Sequence, residues 1–216
     1  MNDKLKAINK AIFFAELQIK DNIDSDIFCL EGYSSSKIRI FLNNLMSNEN
    51  CKYLEIGTFK GSTFCSALNN NNPKYSCVID NFSQFWTDEN SPKYTFINNA
   101  QKYIKSEYDF YDIDCFSIDL NNIREKINVY FYDGDHNEND HYKSLVYFLQ
   151  ALEDEFVYIC DDWNWLDVKI GTYRAIRDFN LEIVKSWEFK TDFNGDADEW
   201  WNGFYIAILK KKNNEN

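Results

Sequence analysis

Tyr53-Leu54-Glu55-Ile56-Gly57-Thr58-Phe59-Lys60-Gly61-Ser62-Thr63 runs from an apolar, strand-like segment through two glycines into the start of a helix. A turn of this kind lets the backbone come close to a ligand and aims helix N–H groups at it. Gly57 and Gly61 stand four residues apart, so the spacing is not the G-x-G-x-x-G of dinucleotide sites. No G-K-[ST] follows that would make a nucleoside-triphosphate loop.

Outward from this turn, strand-like and helix-like segments alternate, the pattern of a parallel α/β sheet. The apolar runs predict strands at Cys51–Ile56, Tyr75–Asp80, Ile113–Ile118, Val129–Tyr132 and Phe156–Cys160. Helices are predicted at Ser62–Leu68, Lys93–Ile104, Asp140–Leu152 and Ile170–Asn180. Leu181–Trp187 and Gly203–Leu209 have no helix between them, and a closing hairpin accounts for them most simply. Upstream, Leu5, Ile8, Ile12, Ala15 and Ile19, then Ile38, Phe41, Leu42 and Leu45, recur at helical spacing. The expected fold is therefore α/β: a Rossmann-like parallel sheet with a C-terminal antiparallel hairpin, preceded by N-terminal helices. Residues 1–48 read as a helical extension, either a lid or a dimer contact, residues 49–211 as one domain, and 212–216 as a tail.

The chain has 216 residues, of which 44% are hydrophobic, enough to build one large core. Lys and Arg number 23 against 35 Asp and Glu, a formal charge of −12, which disfavours a nucleic-acid partner and favours a small or neutral one. The longest apolar runs are far shorter than the ~20 residues that cross a bilayer. Charges recur through the first twenty residues, unlike a signal peptide. A cytoplasmic location is expected, with no membrane contact. The six cysteines form no C-x-x-C pair and read as buried thiols.

Two acidic features follow the strands. Asp80 ends the second strand, 23 residues after Gly57, where a carboxylate can accept hydrogen bonds from a ribose diol. Tyr132-Asp133-Gly134-Asp135-His136 and Cys160-Asp161-Asp162-Trp163-Asn164-Trp165 each end an apolar strand, and adjacent parallel strands deliver such ends to one crevice. Crowded carboxylates repel one another, and a bound cation removes that cost. Oxygen donors favour Mg²⁺ or a similar hard cation.

With these residues in view, the chain resembles class I S-adenosylmethionine-dependent methyltransferases, in the branch of cation-dependent, macrocin- and novobiocin-type sugar O-methyltransferases. Glu55–Gly61 matches the first motif, and Ile79-Asp80-Asn81, the Asp133–His136 block and Asp161-Asp162-Trp163 match the rest. The resemblance covers about residues 50–210. It implies S-adenosylmethionine as cofactor, held by Glu55, Gly57, Thr58, Gly61, Ser62, Asp80, Ser117 and Asp119, the last two near adenine at the third strand's end. It implies a divalent cation on Asp133, Asp161 and Asp162, with Asp135 as general base. His136 beside it is, on physical grounds, the more natural proton acceptor near neutral pH, and both stay open.

Trp163, Trp165, Trp200 and Trp201 are either core residues or stacking platforms for a sugar acceptor. The expected partner is a small-molecule acceptor, a sugar or glycoconjugate precursor, with a homodimer open. Competing readings are a metal-independent N- or O-methyltransferase, a cofactor-binding or interaction module on the same fold, and a nicotinamide oxidoreductase, which the glycine spacing weakens.

Overall fold

The glycine turn leaves β1 (Lys52–Ile56) at the middle of a seven-stranded sheet, seen here in a computed structural model that describes residues 3–84 and 91–212. β2 (Tyr75–Ile79) flanks β1 on one side and carries β3 (Asp109–Tyr111) at the edge. On the other side lie β4 (Ile127–Tyr132) and β5 (Leu152–Cys160), all parallel to β1. β7 (Phe204–Lys211) then runs antiparallel between β5 and β6 (Leu181–Phe189), completing the order β3-β2-β1-β4-β5-β7-β6. The order reverses between β1 and β4, and their C-terminal ends open the crevice in which doubly wound sheets bind ligands.

The parallel strands are apolar on both faces because helices cover both. Along β4, Val129 and Phe131 belong to one core and Tyr130 and Tyr132 to the other. Helices α1 (Asp3–Glu16), α2 (Ser36–Met46), α3 (Ser62–Leu68) and α4 (Pro92–Tyr103) contribute to the first. The second is completed by α5 (Glu138–Phe148) and α6 (Leu166–Asp178). Ile8, Ala11, Ala15, Ile38, Phe41, Leu42 and Leu45 share a core cluster with β1, β4, β5 and β7, so the two N-terminal helices are part of the layer that covers the sheet. The start of α2 is capped by Ser35, whose side chain accepts from the Ile38 N–H.

Several boundaries differ from those read in the sequence. Ile113–Ile118 is not a strand: Asp114 accepts from the Phe116 N–H at 2.8 Å and folds Cys115–Ser117 into a 3-10 turn. The third strand is the short Asp109–Tyr111 before it. β5 begins at Leu152, four residues early, although Glu153, Asp154 and Glu155 read as non-strand. Leu152 is buried, Lys52 and Lys4 pair with Glu153 at 2.5 and 3.9 Å and Lys4 with Glu155 at 3.7 Å, and Asp154 is exposed to solvent. Cys51, Cys65, Cys77 and Cys160 are buried thiols, whereas Cys115 is half-buried and Cys29 exposed; none is in a disulfide. No described helix is long and apolar enough to cross a membrane. The tail expected at 212–216 lies, from residue 213 on, outside the described residues.

Candidate active site

Gly57 takes φ +81°, and a Cβ there would stand 1.9 Å from the carbonyl oxygen of Asp133. The glycine thus serves first to let the end of β1 pack against the end of β4. Both turns are tied by main chain: the Gly57 N–H donates to Ile79 at 3.0 Å and the Asp133 N–H to Ile56 at 2.9 Å. Asp80 fixes the loop from the other side. Its Oδ2 accepts from the Thr58 and Phe59 N–H groups at 2.8 and 2.7 Å, and its Oδ1 from Phe82 at 2.7 Å. Burial nonetheless raises its pKa. Oδ2 has filled its two lone-pair directions, so a ribose hydroxyl would have to use the remaining one on Oδ1.

Glu55 is fully buried, away from the cleft walls, where Tyr53 Oη donates to it at 2.5 Å and Thr63 Oγ1 at 2.7 Å. Burial pushes its pKa up to about 7. The folded protein therefore holds a proton there that the unfolded chain releases near the ordinary carboxylate value. The stability from that proton is full below the unfolded pKa and is lost as pH rises through the folded one, a loss on the order of 3 kcal/mol. Glu55→Gln is expected to flatten the fall of urea stability between about pH 5 and pH 8. A slope equal to that of the wild type contradicts this.

A cleft of about 650 Å³ crosses the strand ends from Asp80, Phe82, Asp114 and Phe116 to Asp133, His136, Asp162 and Trp201, a volume suited to a cofactor and a small acceptor. Of the expected cofactor residues, Gly57, Thr58, Ser62 and Asp80 line it. Gly61 instead faces Phe96, whose ring would lie 2.8 Å from an added Cβ. Ser117 and Asp119 are exposed and outside the cleft, where Asp119 accepts from the Asn121 N–H. Because β3 ends at Tyr111, their expected place falls to Asp114, Cys115 and Phe116.

The carboxylate blocks meet as expected, with His136 among them. One donor atom each of Asp133, His136 and Asp162 lies within 4.8 Å of the others. His136 Nε2 is 2.7 Å from Asp162 Oδ2, while Asp162 Oδ1 accepts from Asn202 Nδ2 at 2.5 Å. Asp161 is 2% exposed on the cleft wall, and its Oδ1 has no hydrogen-bond partner among the described residues. Burial, then the nearby Asp161 and Asp162, raise the Asp133 pKa well above the usual range, and burial with Asp162 does the same to Asp161. For His136, burial opposes the charge, but the bond to Asp162 and the nearby Asp135 outweigh it and raise its pKa. Asp135 is an exposed rim residue held by Asn137 Nδ2 at 2.9 Å. His141 lies buried behind the site, 3.5 Å from Cys160 Sγ, and burial lowers its pKa to about 4. An orphaned buried carboxylate oxygen beside two converging carboxylates fits a divalent cation. Carboxylate oxygens of this kind suit Mg²⁺ or Mn²⁺.

The four tryptophans divide. Trp163 is fully buried, stacked on Tyr205 at 4.0 Å and donating through Nε1 to Glu188 at 2.8 Å. Trp200 is buried against Phe189 at 4.1 Å and donates to Glu16 at 2.9 Å. These two are core pillars rather than platforms for an acceptor. Trp165 meets the His136 ring edge-on at 4.6 Å, outside the cleft, and Trp201 alone of the four lines it. Tyr33, Phe59 and Asn202 are cleft residues that sequence reasoning missed. Tyr33 arrives because Gly32 seats on Ser62, leaving no room for a Cβ. Buried Arg39 holds that connector by bonds to the Ile27 and Leu30 carbonyls and to Ser34. The glycines flanking these residues, in Gly32-Tyr33 and Asn202-Gly203, were the available signal.

No family model and no curated protein sequence matches the chain. Solved structures do. An O-methyltransferase from Bacillus cereus in complex with SAH superposes with TM-score 0.58 at 13% identity, covering 96% of this chain and 100% of that one. TomG from Streptomyces achromogenes, an O-methyltransferase involved in tomaymycin synthesis and solved with SAM, gives 0.57 at 14% identity over 97% and 100%. A putative O-methyltransferase from Klebsiella pneumoniae gives 0.57 at 13% identity over 94% and 90%. With its strand order and closing hairpin, the chain has the fold of the class I methyltransferases.

Proposed function

We propose that the protein is an S-adenosylmethionine-dependent methyltransferase that methylates a hydroxyl of a small acceptor, a sugar or another vicinal diol, with the help of a divalent cation. The observation that carries this reading is the meeting of Asp133, His136 and Asp162 in one cleft with the Asp80-clamped glycine loop, on a fold shared with O-methyltransferases. The cofactor supplies a methyl group on a sulfonium for in-line displacement, and the cation lowers the pKa of a chelated hydroxyl. Gly57, Thr58, Ser62 and Asp80 hold the cofactor, and Asp114 and Phe116 border its adenine end. Asp133, Asp161 and Asp162 hold the cation.

His136 takes the acceptor proton. An imidazole anchored by a carboxylate is oriented for transfer, whereas Asp135 sits on the rim engaged with Asn137. Trp201 forms the acceptor-side wall. The free thiols and the acid-rich composition support action in the cytoplasm on a partner other than nucleic acid.

The test is release of S-adenosylhomocysteine from labelled cofactor with pooled sugars and catechols, in Mn²⁺, Mg²⁺ or chelator. Turnover that chelation abolishes supports the reading, and turnover indifferent to chelation removes the cation from it. His136→Ala is expected to lose turnover on the acceptor so identified, by roughly 100-fold or more, while keeping its Mn²⁺ affinity. Loss of both would make His136 a ligand instead of a base.

A further inference from the structure

Asp162 is held in an unusual way. Its backbone takes φ +58°, and Trp201, in the connection between β6 and β7, takes φ +56°, conformations that non-glycine residues keep only when their surroundings impose them. The surroundings are the β6–β7 connection. The Asn164 N–H donates to the Asn202 carbonyl at 2.8 Å and the Trp163 N–H to Gly203 at 3.1 Å, which staple that connection to the exit of β5. Its far side is pinned to the N-terminal helices, where buried Lys37 pairs with Glu16 at 2.9 Å and Glu199 at 2.6 Å.

Asn202 joins these supports to the cluster. The Gly195 N–H, which can only donate, bonds Asn202 Oδ1 at 2.7 Å. The amide orientation is thereby fixed, and Nδ2 faces Asp162 Oδ1 at 2.5 Å. Asp162 needs such a partner because the terminal torsion of an aspartate is broad and does not hold its own carboxylate plane. With Oδ1 taken by the amide, Oδ2 is turned toward His136, and the carboxylate converges with Asp133.

We propose that Asn202 is a positioning residue whose side-chain amide sets the Asp162 carboxylate for cation binding. This rests on the cation-dependent reading above.

The experiment titrates Mn²⁺ into wild type, Asn202→Ala and Thr191→Val, each with and without S-adenosylhomocysteine, by electron paramagnetic resonance and calorimetry. Thr191→Val removes the bonds of Thr191 Oγ1 with Phe193, Trp201 and the Asn164 amide at 2.8, 3.1 and 2.8 Å, loosening the connection while leaving the Asn202 and Asp162 side chains in place. Asn202→Ala is expected to weaken Mn²⁺ by roughly 10- to 100-fold with S-adenosylhomocysteine affinity within about twofold of wild type, and Thr191→Val to leave both within about twofold. If Asn202→Ala does not fold, Asn202→Ser, too short to reach both Gly195 and Asp162, takes its place. Equal Mn²⁺ affinity in wild type and the Asn202 variant overturns the proposal, as does an equal loss in Thr191→Val. A wild type that binds S-adenosylhomocysteine but no Mn²⁺ overturns it together with the cation assignment. A wild type that binds Mn²⁺ but no S-adenosylhomocysteine overturns the methyltransferase reading, while the Mn²⁺ comparison still decides the role of Asn202.

Discussion

Gly57→Ala is expected to cost at least about 4 kcal/mol of stability, a large share of the roughly 5–15 kcal/mol that holds a domain of this kind together. Two effects add. The φ of +81° strains any residue with a Cβ, and that Cβ would lie 1.9 Å from the Asp133 carbonyl oxygen and 2.7 Å from its carbon. A flexible side chain could swing away, but a backbone carbonyl at the end of β4 cannot, because the Asp133 N–H is bonded to Ile56. Relief requires parting β1 from β4 at the crevice itself. Urea denaturation should show the fall in stability, and the folded remainder should bind cofactor poorly. A variant as stable as the wild type would contradict the assignment of this glycine to strand packing.

Asp162→Ala is expected to lower turnover by at least about 100-fold while leaving S-adenosylhomocysteine affinity within about twofold. The substitution removes one carboxylate from the proposed cation set, the 2.7 Å anchor of His136 and the acceptor of the Asn202 amide. The other end of the cleft, around Asp80 and Phe116, where the cofactor is proposed to sit, keeps all of its contacts. Removing a charge that raises the pKa of both Asp133 and Asp161 should also relieve the crowding in the metal-free protein. Scanning calorimetry in chelator is the check, with the variant melting no lower than the wild type. Full turnover in Asp162→Ala would remove this carboxylate from the chemistry.

The parts of the fold legible in sequence were those written as long apolar runs. β1, β2 and β4 are buried along nearly their whole length, and apart from Lys52, Glu55, Ser76 and Asn128 their residues are Tyr, Val, Ile, Leu, Cys and Phe. The glycine turn and the Asp133 and Asp161-Asp162 blocks were legible because each ends such a run. β3 was not, being three half-buried residues at an edge followed by a more apolar segment that an aspartate folds into a 3-10 turn. That slip carried the expected adenine neighbours to Ser117 and Asp119, whereas the cleft is lined by Asp114, Cys115 and Phe116. The tryptophans were undecidable from composition, since indole serves equally in a core and on a binding face. Trp200 and Trp201 are adjacent yet divide between core and cleft, because the left-handed backbone of Trp201 turns the chain between them. Asn202 carried no signal beyond the glycine after it, and the role proposed for it rests on its contact with Asp162, forty residues away in the chain.

The most direct test of the account is calorimetric titration of the purified protein with S-adenosylhomocysteine. Saturable one-to-one binding in the micromolar range, weakened by Asp80→Ala, is the predicted result, since Asp80 clamps the glycine loop, lines the cleft and is the proposed partner of the cofactor ribose. Absence of binding to a folded wild-type protein, with and without Mn²⁺, would contradict it and leave the fold without the cofactor chemistry assigned to it.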